Sequence, residues 1–222
     1  MIDKNRLCSL AKENGIILDD TALDRFDTYA ELLVEWNGKM NLTAITEPEE
    51  IEVKHFLDCL MLPKYFNLDN IQTVIDVGAG AGFPSVPLLI YKPNLCLTMM
   101  DAINKRLTFL DTAVHALGLE AQLIHERAEA AGQDENYREK FDLATARAVA
   151  PMNVLAEYCL PFVKVGGYFV ALKGSNDDTE EAKNAIATLG GEIVNNISYK
   201  LNGTESRSIV VIKKISQTPT QF

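Results

Sequence analysis

The sequence predicts an α/β fold: a mostly parallel sheet of seven strands with helices on both faces, ending in an antiparallel hairpin and preceded by a helical N-terminal extension. Three observations predict it. From Thr73 onward, short β-branched runs alternate with amphipathic ones, the pattern of parallel strands joined by helical crossovers. The first of these runs enters a glycine-rich turn, "TVIDVGAGAGFPS" from Thr73 to Ser85, which brings bare backbone to the end of a buried strand. The last two runs are joined only by "NGTES", too short for a helix, so they must pair as a hairpin.

Taken in order, the elements follow from local pattern. Between Asp19 and Lys39, Leu23, Phe26, Tyr29, Ala30, Leu33 and Val34 recur at three- and four-residue steps, which predicts one amphipathic helix. "TEPEE" offers a cap, a proline for a first turn and acids that suit the helix dipole, so a second helix should run from Pro48 to about Met61, before Pro63. Residues 1–66 are thus an N-terminal helical part, and 67–216 the α/β domain. Its predicted strands are Thr73 to Val77, Leu95 to Asp101, Ala121 to His125, Phe141 to Ala146, Tyr168 to Lys173, Glu192 to Leu201 and Arg207 to Lys213. Helices are expected at Asn104 to Leu117, Val154 to Pro161 and Asp177 to Leu189; residues 217–222 form a tail, and the closing stretch "SQTPTQF", from Ser216 to Phe222, is expected to be disordered.

Composition narrows the class. With 222 residues, 47% of them apolar, the chain can bury a full core. No apolar stretch is long enough for a membrane span, and the N-terminus lacks the plan of a signal peptide, so a cytoplasmic protein is expected, with no membrane partner. Four cysteines, Cys8, Cys59, Cys96 and Cys159, lie far apart; they read as reduced, buried thiols, and no metal is implied. A net charge of −10 argues against a general nucleic-acid coat. It leaves room for an enzyme with a local basic face.

The glycine spacing then discriminates among cofactors. In a dinucleotide fingerprint the third glycine falls three places after the second, where the helix packs over the pyrophosphate. Here that place is Phe83, and the pattern is G-x-G-x-G through Gly78, Gly80 and Gly82; no Gly-Lys-Ser or Gly-Lys-Thr follows for a phosphate loop. A ligand without phosphate fits better. S-adenosyl-L-methionine needs close backbone approach and an acid for its ribose, and Asp101 stands at the end of the second strand, 23 residues beyond Gly78, where such an acid belongs. Together these features favour a Rossmann-like class I S-adenosylmethionine-dependent methyltransferase over a dehydrogenase.

Longer words in the chain are more specific. "EWNGKMNLTAI" (Glu35 to Ile45), "HFLDCL" (His55 to Leu60), "DVGAGAGFPSVPLLI" (Asp76 to Ile90), "DAINKRLTFL" (Asp101 to Leu110), "ERAE" (Glu126 to Glu129) and "FDLATARAVAP" (Phe141 to Pro151) resemble the ribosomal small-subunit methyltransferase G family, also called glucose-inhibited division protein B. The resemblance extends from about Asp19 to Lys213. It implies methylation of N7 of guanine 527 in the 530 loop of bacterial 16S ribosomal RNA; the RNA is expected as partner, naked or within the small ribosomal subunit, and the protein is expected to be a monomer. Carried across, it places Gly78, Gly80, Gly82 and Phe83 around the methionine end of the cofactor, Asp101 on the ribose, and Ala128 and Glu129 at the adenine. Arg147 matches an arginine that contacts the cofactor beside the reacting centre, and is the candidate catalytic residue.

That chemistry asks little of the protein. The sulfonium methyl is already activated, and guanine N7 offers an in-plane lone pair with no proton to remove, so alignment matters and a general base does not. The chain lacks the Asn/Asp-Pro-Pro-aromatic motif of exocyclic-amine methyltransferases and the Pro-Cys nucleophile used for cytosine C5. Arg147 is expected to position through the cofactor or guanine O6, since donation to N7 would occupy the attacking pair. Lys105, Arg106, Lys173 and Arg207, with Lys39 and Lys54, are candidates for the RNA face. His55 and Asp58, three apart, and Asn37 and Asn41, beside a turn, read as buried hydrogen-bonding residues that dock the N-terminal helices, with His55 near the substrate cleft; His115 and His125 read as structural. Two rival readings stay open on residues alone: a small-molecule methyltransferase with a helical lid, and a cofactor-binding regulator without chemistry.

Overall fold

The computed structural model describes residues 1–147, 150–174 and 178–222. Helix α1 (Lys4–Glu13) starts at Asp3, whose carboxylate accepts the amides of Asn5 and Arg6. Helix α2 (Asp20–Met40) is capped by Asp19 on the Ala22 amide and ends at Asn41, left-handed at φ 51°. Where one helix was expected from Pro48 to about Met61, a short turn α3 (Pro48–Glu50) leads into a π-helical stretch, Ile51–Leu57, and then α4 (Asp58–Tyr65). Pro63 does not stop it. The burial of Leu60, Met61 and Leu62 outweighs the proline penalty, and the chain leaves the helix at extended Phe66.

The α/β part contains β1 (Thr73–Val77), α5 (Ser85–Tyr91), β2 (Cys96–Asp101), α6 (Asn104–Ala116), β3 (Gln122–His125), α7 (Ala128–Ala131) and β4 (Phe141–Arg147). It continues with α8 (Met152–Cys159), β5 (Val163–Lys173), α9 (Thr179–Thr188), β6 (Gly191–Leu201) and β7 (Glu205–Lys214). The helix expected from Val154 to Pro161 starts at Met152 and gives way to a 3-10 turn at Leu160; β5 starts five residues earlier than Tyr168. The expected start of α9 at Asp177 lies outside the described residues.

Strand order is β3-β2-β1-β4-β5-β7-β6. β1 is flanked in parallel by β2 on one side and β4 on the other, so successive crossovers leave it in opposite directions and open a crevice beyond the carboxyl ends of β1 and β4. The terminal hairpin forms as expected, but its antiparallel strand is not the edge: β7 lies between β5 and β6. Physical chemistry selects that order. Ile209 to Ile212 are apolar and buried on both faces, whereas β6 carries exposed Asn195, Asn196 and Ser198, side chains suited to an edge.

Each sheet face has its own core. Val74, Leu143, Val170, Leu172 and Ile209 point toward the N-terminal helices, α5 and α6; Ile75, Val77, Ala144, Phe169, Val210 and Ile212 point toward α8 and α9. Two composition-based expectations are corrected. The tail is ordered: Arg138 donates to the carbonyls of Thr218, Pro219 and Phe222, and Thr218 is buried against Lys214. Of the cysteines, all free thiols, Cys59 and Cys159 are buried, but Cys96 opens β2 on the surface and Cys8 is half-buried. Among the described residues no helix is long and apolar enough to cross a membrane.

Candidate active site

The glycine turn stands at the crevice. Gly78, Gly80 and Gly82 all have positive φ, at 73°, 59° and 90°. Their surroundings differ. A Cβ at Gly80 would meet only the Gly78 carbonyl, at 3.8 Å, and otherwise open space. One at Gly82 would strike Val86, the Tyr29 hydroxyl and Leu110 at 2.6–2.9 Å. Gly82 therefore does not line the cleft, and its bare α-carbon lets the turn seat on α2 and α6, where the Tyr29 hydroxyl donates to the Ala81 carbonyl. Phe83 does line the cleft, and its bond to Pro84 is cis.

Asp101 forms the shared wall of two adjoining hollows. One, of about 160 Å³, is bounded by Gly78, Met100, Glu126, Arg127, Ala128, Glu129 and Tyr158. The other, of about 540 Å³, is bounded by Thr43, His55, Gly80, Phe83, Arg106 and Arg147. The Asp101 carboxylate is buried and accepts the amides of Gly80 and Ile103 and an Arg106 N–H at 3.3 Å, which orients it at the junction with acceptor capacity to spare. An adenosine seated by Ala128 and Glu129, a diol on Asp101 and a tail beside Gly80 match these hollows in sequence. The residues fit S-adenosylmethionine.

At the cleft's far wall, three side chains and one backbone carbonyl converge on Arg147, the last residue of β4. Its Nη1 donates to the Lys54 carbonyl at 3.1 Å and to Asp58 at 3.2 Å, its Nη2 donates to His55 Nδ1 at 2.9 Å, and its guanidinium lies 4.6 Å from the Phe83 ring centroid. The Phe83 and His55 rings stack at 4.2 Å. A guanidinium can only donate, so His55 Nδ1 carries no proton; the neutral ring is protonated on Nε2, which donates to Thr43 Oγ1 at 2.9 Å. Burial, then the Arg147 charge, pushes the His55 pKa down to about 3. Asp58 also takes the Tyr199 hydroxyl at 3.0 Å and lies 3.5 Å from Arg207. Burial pushes its carboxyl up, while the two guanidinium groups favour the ionised form.

Beneath the turn lies Asp76, wholly buried, accepting the hydroxyls of Ser85 at 2.5 Å and Thr145 at 3.0 Å. Burial raises its pKa to about 7. It ties the ends of β1 and β4 to the start of α5, which fixes Arg147 relative to the glycine turn.

The structure sorts the remaining expectations. Lys105 is exposed in the first turn of α6 and does not line the cleft, whereas its neighbour Arg106 does. Lys173 is half-buried in an ion pair with Asp178 at 3.0 Å, and Arg207 is held by Glu205 at 2.5 Å as well as by Asp58. Lys39 and Lys54 pair with Glu35 and Glu50 along their helices. Asn41, expected to be buried, is exposed as the left-handed residue that ends α2, and the half-buried Asn37 side chain accepts the Thr43 amide at 2.8 Å. His115 and His125 are exposed and line neither hollow, although His125 Nε2 lies 3.2 Å from the carbonyl of Ala102, which borders both. Sequence reasoning missed Thr43 and Tyr199 as members of the site: Thr43 sits in a quoted motif, but nothing local shows that its hydroxyl meets a histidine 12 residues on.

Comparison with known proteins places this geometry. The family described as rRNA small subunit methyltransferase G (GidB) matches residues 22–210. A ribosomal RNA small subunit methyltransferase G from Alkaliphilus metalliredigens is 50% identical over 215 residues, covering 95% of this chain and 90% of that protein. One from an Exiguobacterium species is 49% identical over 225 residues, covering 100% and 94%. The solved structure of an O-methyltransferase family protein from Burkholderia thailandensis shares the fold, with a TM-score of 0.56 at 13% identity over 86% of this chain and 60% of that one. The chain belongs to the rRNA small subunit methyltransferase G family.

Proposed function

We propose that this protein transfers the methyl group of S-adenosylmethionine to N7 of a guanine in 16S ribosomal RNA, in the cytoplasm, acting on the RNA alone or within the small subunit. Family membership and the names of its relatives support the methyltransferase reading and the RNA substrate. One observation favours N7: the single imidazole among the described cleft residues, His55, has its lone pair engaged by Arg147 and its proton on Thr43. Such a ring cannot take a proton from an amine or hydroxyl nucleophile. N7 arrives with a free pair and needs no base.

The bound cofactor supplies an electrophilic methyl on a sulfonium. The residues of this chain then have defined tasks. Gly78 and Gly80 admit the cofactor close to backbone, Asp101 accepts the ribose hydroxyls, and Ala128 and Glu129 flank the adenine. Phe83 walls the methionine end, and Gly82 supports the turn from behind. Arg147, held from three sides, aligns cofactor and base in the cleft. Lys105 and Arg106, in the first turn of α6, take the RNA backbone, and Lys173 and Arg207 extend that face once phosphate competes with their acids.

Transfer of tritiated methyl groups to naked 16S RNA, to small subunits and to a panel of small metabolites tests the substrate. Strand scission after borohydride and aniline tests the atom, because this treatment cleaves at 7-methylguanine. Labelled RNA that resists scission would refute N7, and label confined to a metabolite would refute the RNA substrate.

A further inference from the structure

The roof of the larger hollow is the segment after α2, and its one polar side chain on the cleft is Thr43. The Thr43 oxygen accepts two hydrogen bonds, from the Ile45 amide at 3.0 Å and from His55 Nε2–H at 2.9 Å. A hydroxyl oxygen has two lone pairs, so both are committed and the hydroxyl proton remains for donation. Several other donors around the hollow are spent. The amides of Gly78 and Ala79 go to the Met100 carbonyl, that of Gly80 to Asp101, and that of Gly82 to the Ala79 carbonyl. Arg147 is distributed over Lys54, Asp58 and His55, while Arg106 commits one N–H to Asp101 at 3.3 Å and keeps further donors in the hollow that Thr43 also lines, available to the same ligand group.

The cofactor assignment made above fixes what enters this hollow. With adenosine by Ala128 and the ribose on Asp101, the amino-acid end would lie in the hollow bounded by Gly80 and Thr43, carrying a carboxylate that would leave water and need donors. We infer that Thr43 is a binding residue for the carboxylate of S-adenosylmethionine, its hydroxyl turned into a pure donor by His55 and Ile45. The same arrangement links the cofactor tail to Arg147 through one imidazole: Arg147 selects the ring tautomer, and the tautomer selects the direction in which Thr43 donates. His55 is therefore a positioning residue that acts without changing its charge.

The inference rests on the cofactor reading, and the test separates the two. Equilibrium dissociation constants for S-adenosylmethionine and for decarboxylated S-adenosylmethionine, which keeps the sulfonium and the amine, are measured by calorimetry on the full chain, wild type and variants. Thr43→Val should weaken S-adenosylmethionine binding about ten-fold or more, the effect of losing a hydrogen bond to a charged group. Binding of the decarboxylated ligand should change less than about two-fold, and Thr43→Ser, which keeps the hydroxyl, should restore wild-type affinity for the intact cofactor. Equal weakening of both ligands would mean that the roof has merely shifted, and no weakening would mean that the hydroxyl faces something else; either overturns the assignment. Failure of the wild-type protein to bind S-adenosylmethionine would instead overturn the cofactor reading.

Discussion

Arg147 Nη2 donates to His55 Nδ1 across 2.9 Å, so a strand end and a π-helical turn 92 residues apart in sequence meet as cation and neutral imidazole. This contact decides the charge and tautomer of the ring, and with them the polarity of the cleft roof. It also explains the depth at which Arg147 is fixed: Phe83 lies against both groups.

Replacing Arg147 by alanine should lower the methyl-transfer rate at saturating cofactor by about 100-fold or more, the scale of losing alignment. Arg147→Lys should recover little, because an ammonium cannot span Lys54, Asp58 and His55 at once. The fold should persist, since Asp58 keeps Arg207 and Tyr199. Single-turnover kinetics with far-ultraviolet circular dichroism check this, and an unchanged rate would remove Arg147 from the site.

The buried His55 makes a signed contribution to the pH dependence of stability. Its folded pKa, about 3, lies below the ordinary value of 6.5, so the unfolded chain binds the proton more readily between these values. The contribution is fully present above pH 6.5 and is lost as the pH falls toward 3, at up to about 1.4 kcal/mol per pH unit. Asp76 has the opposite sign, its raised pKa of about 7 costing stability as pH rises from 3.8. Urea unfolding of wild type and His55→Gln at matched pH isolates the histidine: the difference between the two curves should shrink as pH falls from 6.5 to 4.5. A constant difference would show that His55 is not buried neutral.

Gly80 and Gly82 should respond differently to alanine. At Gly82, contacts of 2.6–2.9 Å and a φ of 90° predict a loss of about 2–4 kcal/mol in unfolding free energy. At Gly80 the fold should lose only about 1–2 kcal/mol, from the left-handed backbone, while cofactor affinity falls because the new methyl enters the cleft. Denaturation midpoints and cofactor titration of the two variants would show whether these effects separate.

The tail closes over Lys214, whose ammonium is buried on the Leu160 carbonyl at 2.6 Å and the Thr218 hydroxyl at 2.5 Å, with Glu139 at 3.5 Å. Removing residues 217–222 takes away the hydroxyl and three acceptors of Arg138. A loss of about 1–3 kcal/mol is expected, the cost of buried donors left unmet. Thermal melts of the truncated and full chains test it; equal midpoints would mean that the tail packs without holding.

By itself the sequence determined the strands, the glycine turn at the end of β1, Asp101 at the end of β2 and Arg147 at the end of β4. Each is a local pattern: a short β-branched apolar run, a turn that demands positive φ, and a residue's place at a strand end. The motif words also carried the family. Tertiary structure alone decided the rest, because it depends on contacts across dozens of residues. Packing placed β7 inside the sheet, carried α4 through Pro63 and ordered a polar tail around Lys214. It divided three similar glycines into two that face the cleft and one, Gly82, that holds the turn on Tyr29. It also set His55 between Arg147 and Thr43, because a ring's tautomer follows from its partners in space, which no spacing along the chain records.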